Sequence, residues 1–355
     1  MKALGFVRSA LNTKWVTWDY FSKGWLFFIR EEALTLFILS VIMWVIDTFT
    51  GRDTCCKLFH LGLIVLVRRV MAGGICNSTK RLDGQTVVIT GCNVGIGKET
   101  ARDLSQRGAK IIMACRDTKT AEKTAHEISN ETGGDLVVMK LDLASLSSIR
   151  AFAADLKKKE SKIHILINNA GVMMCPFKKT EDGFEMQMGT NHFGHFLLTN
   201  LLLPLLSHGQ PARIITVSSL AHTRGVIPFD DMMYEKGYDK VKAYENSKLA
   251  NVLFTRQLAK RLKGTSIEVF SLHPGAVQSN LGRHVLGQWS ASTLITLFIK
   301  TTAEGAQTSI FCALEARQQE PHYFSDCAQG YAVSAAQDDE AAEKLWKLSE
   351  KMVGL

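Results

Sequence analysis

At 355 residues the chain fits one large α/β domain or two small ones, with ample length to bury a core. A hydrophobic share of 46% against 21% charged residues excludes a disordered tail protein and an ordinary many-span membrane protein. The net charge of +8 is spread along the chain rather than gathered in a basic block, which suits an anionic cofactor or lipid surface; nucleic acid is not an expected partner.

Residues 1–82 read as a membrane-associating region. Trp15, Trp18, Trp25 and Trp44 stand among Tyr20, Phe21, Phe27 and Phe28, interleaved with Lys14, Lys23 and Arg30. Rings mixed with basic groups suit a headgroup layer, where rings bury and charges stay wet. The run from Ala33 to Ile46 carries no charge. At about 1.5 Å per residue it covers roughly 21 Å, short of a hydrocarbon core of about 30 Å. Extension through Asp47 to Thr50 nearly closes that gap if the carboxylate lies at the interface. A second apolar stretch, Leu58 to Val67, stops at Arg68-Arg69. One span plus an interfacial helix is expected rather than a tight hairpin; the alternative is a helix pair docked on the remaining chain. A cleaved signal is not expected, since an acid and polar residues (Asp47, Thr48) follow the apolar core instead of a small-residue cleavage site. Arg52, Lys57, Arg68, Arg69, Lys80 and Arg81 follow the run and place the C-terminal part in the cytosol. The endoplasmic reticulum is the expected membrane, with a mitochondrial membrane as the alternative.

From residue 84 short β-branched runs alternate with helix-length amphipathic stretches. Thr86–Thr90, Lys110–Cys115, Leu136–Lys140, Ile163–Ile167, Arg213–Val217 and Ile267–Ser271 read as strands. Gly97–Arg107, Ala121–Glu131 and Leu146–Lys157 read as helices between them. This alternation predicts a doubly wound (Rossmann) α/β domain over residues 83–355, with a parallel sheet of about seven strands covered on both faces. The 8 cysteines form no disulfide framework, and neither CxxC nor HExxH spacing occurs, so no metal is expected. Cys115 follows an apolar run and reads as a reduced core thiol, which implies a reducing compartment.

The first strand delivers Thr90-Gly91-Cys92-Asn93-Val94-Gly95-Ile96-Gly97 to a helix start. Such a turn offers backbone N–H groups and the positive end of a helix dipole to a pyrophosphate. Gly91 permits the turn, Gly95 lets a cofactor approach, and Gly97 lets helix and sheet come close. Arg116 stands just after the second strand, where a guanidinium can hold a 2′-phosphate and favour NADP over NAD; the alternative is a solvated loop cation. Asp117 reads as the start of the next helix. Tyr244 and Lys248 are spaced i, i+4 on one helix face, where an ammonium would lower a phenol's pKa from about 10. Ser218 and Ser219 end the fifth strand, where a hydroxyl can fix a substrate oxygen beside the phenol.

The spacing G-x-x-x-G-x-G, with Asn168-Asn169-Ala170-Gly171 and Tyr244-x-x-x-Lys248, resembles the short-chain dehydrogenase/reductase superfamily. Longer stretches, among them Asp182–Gln187, Asn191–Thr199, Ser247–Asn251, Gly305–Thr308, Tyr323–Cys327 and Leu345–Ser349, look like its retinol dehydrogenase 11-to-14 group over roughly residues 83–355. The resemblance implies a catalytic set of Asn191, Ser219, Tyr244 and Lys248, with Ser218 as the fallback serine and Asn191 holding a relay water. Cofactor contacts implied are Gly91, Asn93, Val94, Gly95, Ile96, Gly97, Arg116, Asp142, Leu143, Asn169, Ala170, Gly171, Tyr244, Lys248, Pro274, Gly275 and Val277. Asp142 would lie beside the adenine, cap the helix near Leu146, or do both. Ser279 stands in for a threonine that many members carry after the Pro-Gly turn. The apolar segment Val285 to Ile299 would be a substrate lid, or equally a core helix. His192 and His195 read as core residues without a catalytic role.

The resemblance further implies NADP-dependent interconversion of a lipophilic alcohol and its aldehyde or ketone, retinol and retinal favoured. The alternatives are a steroid or lipid-derived carbonyl, and a non-catalytic NADP-binding scaffold, against which the complete four-residue set argues. A small lipophilic substrate and membrane lipid are the expected partners. A homodimer through the helices holding Phe196–Leu206 and Tyr244–Leu262 is the pairing that the resemblance suggests.

Overall fold

The computed structural model describes residues 39–51, 54–278, 281, 299–318, 320 and 322–355. The aromatic and basic residues of 1–38, Ser279 and the 285–298 stretch lie outside the described residues. Two compact units are formed, one ending at Met71 and one spanning Ala72–Leu355.

The first unit is helical over 39–50 and again from Thr54, in a helix that runs to Ala72. Asp47 is buried, 3.2 Å from Nδ1 of His60. The two helices thus meet through this pair, with Gly51 at positive φ between them. Among the described residues no helix is long and apolar enough to cross a membrane.

The second unit winds through β1 (Thr86–Thr90), α1 (Gly95–Gln106), β2 (Lys110–Cys115), α2 (Thr118–Thr132), β3 (Leu136–Lys140), α3 (Leu146–Lys159) and β4 (Ile165–Asn168). It continues through α4 (Gly194–His208), β5 (Ala212–Val217), α5 (Lys240–Arg261), β6 (Ile267–His273), α6 (Thr302–Leu314), β7 (Tyr323–Ser325), β8 (Ala328–Gln329) and α7 (Asp339–Val353). The sheet order is β3-β2-β1-β4-β5-β6-β7-β8. Every pairing is parallel except β7 with β8, so the expected parallel sheet of about seven strands gains an antiparallel eighth. β8 is two residues long and hairpins back from β7, which needs no crossover helix. β1 is buried along its whole length, as a strand with helices on both faces must be.

Two apolar layers flank the sheet. One holds Leu104, Ile128, Phe270, Ile310 and Phe324 beneath α1, α2 and α6. The other holds Phe152, Phe196, Phe254 and Trp346 beneath α3, α4, α5 and α7. Trp346 of α7 stacks on Phe254 at 5.9 Å and meets Phe196 edge-on at 4.8 Å. Arg256 bonds Asp339 at 2.5 Å, and Arg261 lies 4.4 Å over the indole. Residues Ala243–Thr255 are all buried, with α7 packed along α5 as one of the elements that cover it.

Helix starts are capped by side chains: Asp117 for α2, Ser145 for α3, Asp239 for α5, and a capping box of Thr301 and Glu304 for α6. Asp142 therefore does not cap α3; it accepts from the Ala144 amide at 2.9 Å in a local turn, because Ser145 already holds the Ser148 amide. α1 differs, since Val94 supplies no side-chain acceptor and leaves the first-turn N–H groups without one. The chain leaves β1 toward β2 on one side and resumes at β4 on the other, which opens a crevice at the strand ends.

Candidate active site

The glycine turn lines that crevice. Gly91 and Gly95 have φ of +63° and +64°, a left-handed region that a side chain would strain. A Cβ on Gly91 would come within 2.8 Å of the Ala170 methyl, and one on Gly97 within 2.5 Å of Asn169 Nδ2. The first and third glycines therefore close the turn against the end of β4. Asn169 spends its side chain on this closure, donating to the carbonyls of Thr90 at 2.8 Å and Gly91 at 3.2 Å.

Gly91, Asn93, Val94, Gly95, Ile96, Gly97, Arg116, Asp142, Leu143, Asn169, Ala170 and Gly171 all line one cleft. So do Ala114, Asp117, Leu141, Val172, Thr190 and Leu281, none of which the sequence offered as a cofactor contact. Most of these adjoin a motif residue, whereas Leu281 carried no signal at all. Tyr244, Lys248, Pro274, Gly275 and Val277 are not on this lining. Lys248 nevertheless reaches the cleft wall, since a Cβ on Gly171 would stand 3.6 Å from its Nζ. Gly275, at φ +89°, rests on the Lys300 side chain, whose ammonium pairs with Asp326 at 2.6 Å. Val277 and Ile96 both lie against Gly305.

The cleft fits a dinucleotide. Uncapped amides at the start of α1 suit an anionic group. Asp117, the acid nearest the end of β2, is bound to Thr120 through both its amide and its hydroxyl. Arg116 is exposed and has no side-chain partner among the described residues.

Beyond the cleft, α5 presents Tyr244 and Lys248 one turn apart, 4% and 3% exposed. The Ser219 hydroxyl lies near the Tyr244 phenol and favours its ionised form. Ser218 instead donates to the Lys248 carbonyl at 2.7 Å, and Lys248 Nζ donates to the Val217 carbonyl at 3.0 Å. These two bonds stitch α5 to the end of β5. Ser219, rather than the fallback Ser218, thus faces the phenol.

Asn191 sits in a π-helical turn, Gly189–Phe193, that leads into α4. Such wide turns recur at functional sites and have no signature in a helical sequence pattern. Its amide oxygen accepts from the Val172 N–H at 2.8 Å, and its amide nitrogen donates to the Val172 carbonyl and the Ser247 hydroxyl, both at 2.9 Å. Gln187 ties the loop after β4 in a similar way, accepting from the Met174 amide at 2.7 Å and donating to the Tyr238 hydroxyl at 2.8 Å. Sequence reading offered Gln187 only as part of a resemblance.

Electrostatics correct one expectation. Burial pushes Tyr244 up to about 12, opposed by the Ser219 hydroxyl, and burial pulls Lys248 down to about 8. Desolvation therefore sets the phenol's acidity, because the group is shut away from water and Nζ turns to a carbonyl. His192 is pulled to about 3 and His195 to about 4, also by burial, and both are neutral.

A phenol and a serine hydroxyl near one another, with an ammonium one turn on, are the parts for moving a proton at a substrate oxygen. Beside a dinucleotide crevice they define a nicotinamide-dependent oxidoreductase. A family model for short chain dehydrogenases matches residues 85–288. Retinol dehydrogenase 12 of Homo sapiens is 51% identical over 293 residues, covering 81% of this chain and 92% of its own. The crystal structure of an uncharacterized Mycobacterium paratuberculosis protein aligns at 37% identity and TM-score 0.65, covering 79% of this chain and 98% of its own. A Pseudomonas aeruginosa protein solved as its NADP active-site complex aligns at 28% identity and TM-score 0.54, covering 67% and 92%. The chain belongs to the short chain dehydrogenase family, oxidoreductases that act on CH–OH donors with NAD or NADP.

When bound, the nicotinamide supplies or accepts hydride. Ser219 would then orient the substrate oxygen, Tyr244 would give or take the proton at its phenolic oxygen, and Lys248 would hold positive charge nearby.

Proposed function

We propose that the protein is an NADP(H)-dependent oxidoreductase that interconverts a lipophilic alcohol and its aldehyde at a membrane, with retinol and retinal as the favoured pair. Buried Tyr244 with Lys248 Nζ 5.7 Å over its ring and Ser219 nearby, set against the Gly171 wall of the glycine cleft, carries this reading. A non-catalytic scaffold has no use for a desolvated ammonium at that point. Asn191 completes the catalytic set, and Pro274, Gly275 and Val277 serve the nicotinamide end.

The preference for NADP rests on Arg116, exposed and without a side-chain partner among the described residues, and on Asp117 being engaged as a helix cap. Retinoid chemistry comes from the relatives' names and from the apolar environment that a lipid-facing enzyme needs. Membrane association through residues 1–82 is supported by the apolar side chains that the first unit exposes, among them Ile42, Trp44, Phe49, Phe59 and Val65. The catalytic domain, 83–355, faces the cytosol in this reading.

Tyr244→Phe should lower kcat by about 10²–10⁴ while NADPH binding persists; unchanged turnover would remove the phenol from the chemistry. Arg116→Asp should move the cofactor preference toward NADH, and an unchanged ratio would refute the 2′-phosphate role. A panel of retinal, steroid ketones and lipid-derived aldehydes, assayed with NADPH, decides the substrate class.

A further inference from the structure

We propose that His195 is a positioning residue of the active site: its imidazole, in the Nδ1–H form, holds the main-chain carbonyl of Asn191 and is itself anchored on the Thr90 hydroxyl at the foot of the glycine turn. The inference deepens the proposed function and rests on its assignment of Asn191 to the proton relay.

The argument is one of counting lone pairs. Thr90 Oγ1 accepts from the amides of Asn169 and Ala170, each at 2.9 Å, which uses both of its acceptor sites. Its single proton then has two candidates, Nε2 of His195 at 2.9 Å and the Ile167 carbonyl at 3.5 Å. The shorter contact is the real hydrogen bond. Nε2 of His195 is therefore an acceptor, and the ring proton is on Nδ1. That nitrogen lies 3.0 Å from the Asn191 carbonyl oxygen, to which it donates. The opposite tautomer would set Nε2–H against an oxygen with no free lone pair, and a bare Nδ1 against a carbonyl.

Asn191 needs such a hold at its carbonyl. Its side chain is committed to Val172 and Ser247. Its backbone lies in the turn where the Gly194 amide bonds the Gly189 carbonyl, five residues back, so the ordinary helical ladder is shifted there. Thr90, Asn191 and His195 are all fully buried, and water cannot replace any link. The wire thus runs from the turn that receives the cofactor to the turn that carries the catalytic asparagine. Burial above all, and then the neighbouring Lys248 charge, keep the imidazole neutral.

Two substitutions separate positioning from simple filling of space. The amide nitrogen of His195→Asn can occupy the place of Nδ1 and keep the Asn191 bond, whereas the amide of His195→Gln reaches the place of Nε2 and serves only Thr90. In the full-length chain in detergent, His195→Asn should keep kcat within about 3-fold of wild type. His195→Gln should lose about 10-fold or more in kcat, with KM for NADPH and for the carbonyl substrate unchanged; one buried hydrogen bond is worth roughly that factor. Equal losses in both variants, or none in either, would overturn the proposal. A second readout needs no turnover: ¹⁵N chemical shifts of the histidine ring, assigned by loss of the signal in His195→Asn, should show protonated Nδ1 and bare Nε2. The reverse pattern overturns the wire even if the enzyme is active. An inactive wild type with the expected shifts would instead count against the proposed function alone.

Discussion

Replacing Lys248 by Met should abolish turnover and yet stabilise the fold. Burial lowers the lysine from 10.5 to about 8, so the folded chain carries the ammonium at a cost of about 3 kcal/mol at pH 7. Methionine has a similar length and no charge to desolvate. The substitution leaves the Val217 carbonyl with only a 3.5 Å contact from Asn251, a loss of about 1 kcal/mol. The balance is a gain of about 1–2 kcal/mol, or roughly 2–6 °C in Tm for a domain of this size. The sign with pH is equally definite. Between pH 8 and 10.5 the unfolded chain holds a proton that the folded chain has released, so wild-type stability rises with pH and the advantage of Lys248→Met shrinks toward zero near pH 9.5. Differential scanning fluorimetry of both proteins at pH 7 and 9.5, with kcat measured alongside, makes the comparison. A destabilised variant at pH 7, or an advantage that does not change with pH, would refute the view that this catalytic cation is held against a solvation penalty.

The adjacent serines should separate cleanly. Ser219→Ala, which removes the phenol's partner, should lower kcat by about 10²-fold or more. Ser218→Ala, which removes a bond to the Lys248 carbonyl, should cost about 1 kcal/mol of stability and less than tenfold in kcat; urea melts and steady-state rates distinguish them. Acid should destabilise the fold through its buried histidines. His192, His195 and His222 are held at about 3, 4 and 4. The unfolded chain therefore binds their protons first as pH falls below about 6.5, and stability drops through that window toward pH 4. The loss between pH 6.5 and 4.5 should be smaller in His192→Leu, and an identical loss would show that this ring is not desolvated.

The strands were legible because a buried parallel strand is a short β-branched run with turn residues on either side. β1, β2 and β3 fall on the segments read from the sequence. β7 was not legible: three residues have no periodicity, and they form a strand only because Ser271–His273 lie beside them. The glycine turn, Arg116 and the Tyr244–Lys248 pair were visible as chemistry in local sequence. Which serine faces the phenol was not, since Ser218 and Ser219 differ only in which way each points from the end of β5. The acidity of Tyr244 was misread for the same reason, as i, i+4 spacing reveals proximity and says nothing of burial. Asp142 lost the capping role to Ser145, three residues on, an outcome set by backbone geometry. The π turn at Asn191 leaves no trace in a hydrophobic pattern that remains helical on either side.

The indole plate of α7 has a consequence for the helix beneath it. Trp346 closes the greasy flank of α5, and Arg256 with Asp339 fastens that closure. Peeling α7 away would bare Phe254 and Phe196 to water, so the helix that carries Tyr244 and Lys248 takes part of its cover from a segment about ninety residues further along the chain.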